Sequence, residues 1–163
     1  ETGRPAVEMT GKGAGLSDAG LEKKIAVIDR AIALHRPDPA DPVDVISKVG
    51  GFDIAGMTGF YLGCARYGVP AVLDGFISTV AALAAQRLCP AATGYLTASH
   101  LSAEPGARYV MEELGLRPLL RLGMALGEGT GAVSAMPLID MALRIYYDMP
   151  SFDNYGMEAY RPL

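Results

Sequence analysis

The feature that most constrains the fold is a repeated order of a short apolar strand, a polar loop and a helix. Residues 70–74 (PAVLD) and 94–100 (GYLTASH) have the apolar character of buried strands, and helical segments follow them over 77–88 and 108–114. Strands that alternate with helices are typical of parallel sheets, because a parallel connection needs a crossover element. The sequence therefore predicts an α/β fold with a parallel, Rossmann-like sheet flanked by helices.

Glycines, prolines and capping residues divide the remainder of the chain into helices. Four further helices are predicted over 18–35, 42–49, 52–67 and 130–147. In the third, the spacing of Gly56, Gly59 and Gly63 predicts a bare face toward a close neighbour. We expect residues 1–163 to form one α/β unit in which 148–163 are an irregular tail.

Composition excludes several classes of protein. The chain has 163 residues, half of them apolar, and a net charge of −4 with scattered basic residues, so we expect a globular domain that does not bind nucleic acid. The longest apolar stretch, 75–85, is shorter than the roughly 20 residues of a membrane span, so we expect no membrane association. Cys64 and Cys89 lie in helical segments without a CxxC spacing, which predicts reduced thiols, a cytoplasmic protein and no metal site.

The first residues form a glycine-rich lead-in. The chain begins at Glu1 with the loop-like ETGRPAVEMTGKGAG, which indicates a fragment or a processed chain. Lys23 and Lys24 follow this loop, one turn into the next helix. On charge pattern alone both are solvated, and the alternative is that one of them reaches a phosphate.

Two polar loops follow the predicted strands, and ligands of open parallel sheets bind at such ends. One begins at Asp74 in the sequence DGF, and the other is SHLSAEPGA. In the second loop Ser99 and Ser102 can donate to a phosphate, and His100 can act as an acid or base. The alternative makes Ser102 a helix cap, Pro105 a first-turn residue and His100 a satisfied polar side chain.

The stretch LGEGTGA places Glu128 between Gly127 and Gly129, just before the last predicted helix. Glycine amides before a helix resemble a phosphate cradle, but the lysine of a P-loop is missing and a carboxylate would repel the anion. A base or a cation partner is the more economical role for Glu128. The alternative is a solvated carboxylate in the first turn of a helix.

Several motifs in this order resemble one family: TGKGAGLSDAGLEKK, GGFDIAGMTGF, VPAVLDGFISTVAALAA, SHLSAEPGA and LGEGTGA. The chain is similar to the nicotinate-nucleotide:dimethylbenzimidazole phosphoribosyltransferases over nearly its whole length. Family members are about twice as long, so the resemblance implies a carboxyl-terminal half with a fold that is incomplete relative to the full-length family. The amino-terminal half, which carries a second glycine-rich segment and residues that wall the acceptor-base pocket, has no counterpart in this chain.

The resemblance also implies site residues. Glu128 corresponds to the general base of the family, and Leu126 lines the pocket of the aromatic acceptor. Five residues fall at or near the contacts with the phosphate and ribose of the nicotinate nucleotide: Gly13, Lys24, Asp74, Ser102 and Gly106. We expect Glu128 to be buried beside Met124 and Leu126, facing an apolar slot.

The implied reaction transfers phosphoribosyl from nicotinate mononucleotide to 5,6-dimethylbenzimidazole. It yields nicotinate and α-ribazole 5'-phosphate for the nucleotide loop of cobalamin. The pyridinium leaves as a neutral ring and needs no acid, whereas the acceptor must lose a proton, so a single carboxylate suffices. We expect no cofactor and a homodimer. Two alternatives stay open: a non-catalytic piece that needs a separate amino-terminal half, and the same chemistry on adenine, another benzimidazole or a phenol.

Overall fold

The computed structural model describes residues 1–13, 15–158 and 161. Ala14 of the lead-in and residues 159, 160, 162 and 163 of the predicted tail lie outside the described residues. The described α-helices are α1 (Ala6–Met9), α2 (Asp18–His35), α3 (Pro42–Val49), α4 (Phe52–Tyr67), α5 (Phe76–Leu88), α6 (Ala107–Leu114) and α7 (Thr130–Asp148). Short 3-10 helices lie at Pro90–Tyr95 and Phe152–Tyr155.

A parallel pair of strands joined through α5 forms the centre of the fold. Strand β1 (Ala71–Leu73) pairs with β2 (Leu96–Ala98), with Ala71 opposite Leu96 and Leu73 opposite Ala98. The predicted crossover unit is therefore confirmed. Both strands are shorter than predicted, and the chain before β2 forms the 3-10 helix instead of extended backbone.

An extended segment continues the sheet beside the end of β2. The Leu119 amide donates to the Ala98 carbonyl at 3.0 Å, and the Leu120 amide donates to the Ser99 carbonyl at 2.9 Å. Further along, the Ala103 amide donates to the Met124 carbonyl at 2.9 Å. These bonds hold the chain before Glu128 against the SHLSAEPGA loop.

The core lies around α5. Its alanine-rich middle, 81–85, is almost completely buried and packs against β1, α4 and α6. Small side chains permit this close approach between backbones, and the Thr58 hydroxyl of α4 donates to the Ala81 carbonyl at 3.2 Å. Leu73, Leu83 and Val110 are the largest apolar side chains that are fully buried.

Local signals explain where the other helices begin. The Ser17 hydroxyl accepts a hydrogen bond from the Gly20 amide at the start of α2, so Ser17 is the cap. Pro42 stands in the first turn of α3, and the Asp41 carboxylate accepts from the amides of Val43 and Asp44. The predicted helices are confirmed to within a residue or two at their ends.

One packing prediction is wrong for this chain. Added Cβ atoms at Gly56, Gly59 and Gly63 would meet no described atom within 4 Å, so the bare face of α4 has no close neighbour here. The glycine spacing encodes a face that permits close approach but does not encode which element approaches it. Among the described helices, none combines the length and the apolar character needed to cross a bilayer.

Candidate active site

The DGF motif at the end of β1 connects two loops. The Asp74 carboxylate accepts hydrogen bonds from three amides at the start of α7: Oδ2 accepts from the cap residue Gly129 at 3.1 Å, and Oδ1 accepts from Gly131 at 2.9 Å and from Ala132 at 3.1 Å. Helix α7 has no side-chain cap of its own at Gly129. Asp74 therefore caps a helix that begins 56 positions later in the chain.

The third residue of that motif packs beneath the other loop. A Cβ atom at Gly106 would lie 2.7 Å from the Phe76 ring and 2.9 Å from the Met9 carbonyl oxygen. Gly106 is therefore required for close approach between the SHLSAEPGA loop, the start of α5 and the lead-in. Asp74 holds the LGEGTGA loop, while Phe76, two residues later, contacts the SHLSAEPGA loop.

A buried polar pair lies beside the start of α7. The Ser99 hydroxyl and His100 Nδ1 are hydrogen-bonded at 3.0 Å, and His100 is only 3% exposed. A Cβ atom at Gly131 would overlap the His100 ring. His100 thus fits the interpretation as a satisfied polar side chain that packs against α7, not that of an open acid or base.

The lead-in contacts the SHLSAEPGA loop and brings predicted nucleotide contacts together. Lys24 Nζ donates to the Gly11 carbonyl at 2.9 Å and lies 3.8 Å from the Cβ position of Gly13. Gly11 in turn packs against Glu104 and Pro105. Lys24 is half-buried at this corner whereas Lys23 is exposed, which is consistent with the choice of Lys24.

Ser102 has a different local role from the helix cap that the alternative interpretation required. Its hydroxyl accepts from the Glu104 amide at 3.3 Å, while α6 begins only at Ala107 with Gly106 at the cap position. The cap interpretation is therefore wrong. Contacts of Gly13, Lys24, Asp74, Ser102 and Gly106 with a nucleotide stay predictions.

Glu128 occupies an unusual backbone conformation. Its φ is +58°, and Gly127 and Gly129 on either side also have positive φ values of 77° and 78°. The Thr130 hydroxyl donates to the Gly127 carbonyl at 2.7 Å and closes this turn. Left-handed conformations are unfavourable for residues with a Cβ, and they cluster at functional sites.

The expected burial of Glu128 is wrong for this chain. Its side chain is exposed, and the Leu126 side chain is 75% exposed. No described element covers the side of the loop where the apolar slot was expected. The assignments of Glu128 as a base and of Leu126 as a pocket residue stay predictions.

The two cysteines form no disulfide with each other. Cys64 is buried in α4 and Cys89 is half-buried after α5, and both are free thiols. Among the described residues, no three histidine, cysteine, aspartate or glutamate side chains are grouped as a metal site would require.

Comparisons with known proteins identify the family. A family model described as phosphoribosyltransferase matches residues 1–157. The chain belongs to this family. A relative from Clostridium acetobutylicum, named nicotinate-nucleotide--dimethylbenzimidazole phosphoribosyltransferase, is 50% identical over 99% of this chain and 46% of its own length. A relative of the same name from Roseiflexus sp. strain RS-1 is 54% identical over 97% of this chain and 45% of its own length.

Solved structures agree with this membership. The crystal structure of CobT from Thermus thermophilus matches with a TM-score of 0.87 and 44% identity, over 97% of this chain and 47% of that chain. The predicted family resemblance and the α/β fold are thus confirmed. The chain spans about half the length of the relatives it matches.

Proposed function

We propose that the protein transfers the phosphoribosyl group of nicotinate mononucleotide to 5,6-dimethylbenzimidazole, releasing nicotinate and forming α-ribazole 5'-phosphate. One observation carries this proposal: the chain before Glu128 is hydrogen-bonded to the loop of Ser102 and Gly106, through the Ala103 amide and the Met124 carbonyl at 2.9 Å. The carboxylate and the proposed nucleotide loop thus belong to one hydrogen-bonded unit. The names of the relatives from Clostridium acetobutylicum and Roseiflexus indicate the two substrates.

The lead-in corner suits the phosphate of the nucleotide. Lys24 provides an ammonium group that donates to a neutral carbonyl, at Gly11, and forms no ion pair with the described residues. The Ser102 hydroxyl can turn to donate, and the Cβ position of Gly13 lies 3.8 Å from Lys24 Nζ, so that an anion can approach the Gly13 backbone closely beside the ammonium group. This pairing of one cation with small residues fits a phosphate on a ribose better than it fits an uncharged sugar.

Glu128 supplies the proton acceptor. One acceptor nitrogen attacks the anomeric carbon of the ribose, and the bond from that carbon to the pyridinium breaks with its electron pair passing to nicotinate. The acceptor's second nitrogen then gives its proton to the Glu128 carboxylate. Attack from the face opposite the leaving group turns the β-linked nucleotide into an α-linked product.

The acceptor side of this site is open in the chain. Leu126 and Glu128 are both exposed, so they form at most one wall of an aromatic pocket. We place the remaining wall in the part of the relatives that this chain does not span. Burial there would remove water from the carboxylate and hold the two aromatic rings about one carbon.

The test is an assay of the purified chain with nicotinate mononucleotide and 5,6-dimethylbenzimidazole, read as nicotinate and α-ribazole 5'-phosphate by chromatography and mass spectrometry. Glu128→Gln should lower kcat at least about a hundredfold with unchanged nucleotide binding. Glu112→Gln, which changes an exposed glutamate of α6, is the matched control. Equal turnover by Glu128→Gln and the control would remove Glu128 from the base role.

The same assay tests the phosphate corner and the acceptor. Lys24→Ala should raise the KM for the nucleotide about tenfold or more, because a charge-assisted contact is lost, whereas Lys23→Ala should leave it unchanged. Adenine, benzimidazole and phenol offered in place of the acceptor determine the acceptor class. Activity that appears only after addition of a relative's amino-terminal half, expressed separately, would support the alternative of a piece that needs a partner.

We further propose that the protein is a homodimer in the cytoplasm. The extensive exposed apolar surface of α7, which includes Val133, Met141 and Ile145, supports association. Sedimentation equilibrium that reports a monomer at micromolar concentration would contradict the dimer.

A further inference from the structure

The turn that carries Glu128 needs external support. A glutamate with φ of +58° between two glycines of positive φ has no local preference for that conformation. Without fixed partners on both sides, such a turn would sample many orientations of its side chain. The structure supplies a fixed partner on each side.

On the upstream side the partner is the SHLSAEPGA loop. The bond from the Ala103 amide to the Met124 carbonyl holds the backbone four residues before Glu128. On the downstream side the partner is Asp74, whose two carboxylate oxygens accept hydrogen bonds from different amides. Oδ2 accepts from Gly129, the residue next to Glu128, and Oδ1 accepts from Gly131 and Ala132 within α7.

A steric wall fixes the direction in which α7 leaves the turn. The His100 ring lies against Gly131 so closely that no side chain fits there, and Ser99 holds the ring through Nδ1. Both residues follow β2 directly, as Asp74 follows β1. The paired strands therefore place the Asp74 carboxylate and the His100 ring against the same end of α7.

We infer that Asp74 is a positioning residue that directs Glu128 toward the nucleotide, acting through the Gly129 amide and not as a ligand of the nucleotide. This inference rests on the proposed function. Asp74 and Phe76 hold the two loops from the same strand end, so the separation between the base and the nucleotide loop depends on one short stretch of backbone. Displacement of a reacting group by about 1 Å is enough to lower turnover strongly.

Asp74→Asn tests whether the hydrogen bond accepted by Oδ2 holds the turn beside Glu128. The amide oxygen can replace Oδ1, but the NH2 group cannot accept from Gly129, so the loss falls next to Glu128. Asp41→Asn is the matched control, because Asp41 caps α3 through Oδ1 alone and an asparagine oxygen preserves both bonds. In amide hydrogen exchange followed by NMR, Gly129 should exchange at least about fivefold faster in Asp74→Asn and not in Asp41→Asn.

Kinetics of the same variants test the catalytic consequence. Asp74→Asn should lower kcat about tenfold while the nucleotide KM stays within about twofold. In the double variant with Glu128→Gln, Asp74→Asn should cause no further loss of kcat, because the carboxylate that Asp74 positions is already absent. Unchanged exchange at Gly129, unchanged kcat, a raised KM alone, or additive losses in the double variant would each overturn the inference.

An inactive wild-type chain and an unfolded Asp74→Asn variant have different consequences. A wild-type chain that releases no nicotinate, either alone or with a relative's amino-terminal half, would reject the proposed function and with it the catalytic role of Asp74, while hydrogen exchange at Gly129 would still show whether Asp74 anchors the turn. If Asp74→Asn does not fold, Asp74→Glu keeps the charge but moves the carboxylate by one methylene relative to the Gly129 amide. It should reproduce faster exchange and lower kcat, and an absence of either effect would overturn the inference.

Discussion

Helices α5 and α7 are both rich in small and apolar residues, yet their surroundings differ completely. In α5 the five residues 81–85 are at most 2% exposed. In α7, which is longer, only Gly131 and Ala135 are buried, and apolar side chains are exposed along its length. Apolar composition therefore identifies surfaces that favour burial, while topology decides which of them a given stretch of chain covers.

The difference follows from how each helix is anchored. Helix α5 connects two paired strands, so both of its ends are fixed and α4 and α6 pack on its sides. Helix α7 is fixed at its first turn, by Asp74 and by the contact of Gly131 with His100. The candidate base thus lies at the one well-anchored end of a helix that is otherwise exposed.

The largest expected effect tests the unequal burial of the two helices. Leu83→Ala in α5 should lower the free energy of unfolding by about 2–5 kcal/mol, because it leaves a cavity in a packed core. Ile145→Ala in α7, at a side chain that is 57% exposed, should change it by no more than about 0.5 kcal/mol. Urea denaturation of both variants measures this contrast, and comparable losses would mean that α7 is buried in solution.

A second prediction concerns the anchored end of α7. Gly131→Ala should destabilise the protein by about 1–3 kcal/mol, because its methyl group would overlap the His100 ring. Gly59→Ala in α4, where no described atom lies within 4 Å of the added Cβ position, should instead raise stability by about 0.4–1 kcal/mol. Thermal unfolding of the two variants gives the sign of each change in stability. An unchanged stability of Gly131→Ala would show that the His100 ring moves to make room for the methyl group.

The smallest effect tests the strain in the turn. Glu128→Gly should raise stability by about 0.5 kcal/mol, since glycine adopts φ of +58° without a steric penalty. Ala84→Gly within α5 should lower stability by about 1 kcal/mol, because glycine loses more backbone entropy than alanine when a helix forms. The two glycine substitutions should therefore shift the urea midpoint in opposite directions, and a shared direction would mean that Glu128 is not strained.

Much of the fold is predictable because its signals are local. Ser17 and Pro42 define helix starts from adjacent residues, and alternating strand and helix segments predict the parallel pair. The candidate loops are likewise predictable, since they follow the strands. Two fold predictions needed correction: both strands are shorter than expected, with a 3-10 helix replacing the beginning of the second, and the glycine face of α4 has no close neighbour among the described residues.

The site is less predictable because its main contacts are distant in sequence. The bonds from Asp74 to α7 join residues 55–58 positions apart, and no periodicity reports them. A clue was available in the glycine at the start of α7, since a helix without a cap of its own needs an acceptor from elsewhere. The expected burial of Glu128 failed because it depends on a covering surface, and a local pattern does not identify that surface.

Asp74 and Phe76 of the DGF motif hold different loops, and their spacing determines how this corner tolerates insertions and deletions. A substitution at the edge of either loop alters one contact. An insertion or deletion within 74–76 would instead rotate Phe76 relative to Asp74 and displace one loop relative to the other. Length at this junction is therefore more strictly constrained than side-chain identity around it, and engineering of acceptor choice has more freedom at Leu126 than at the end of the first strand.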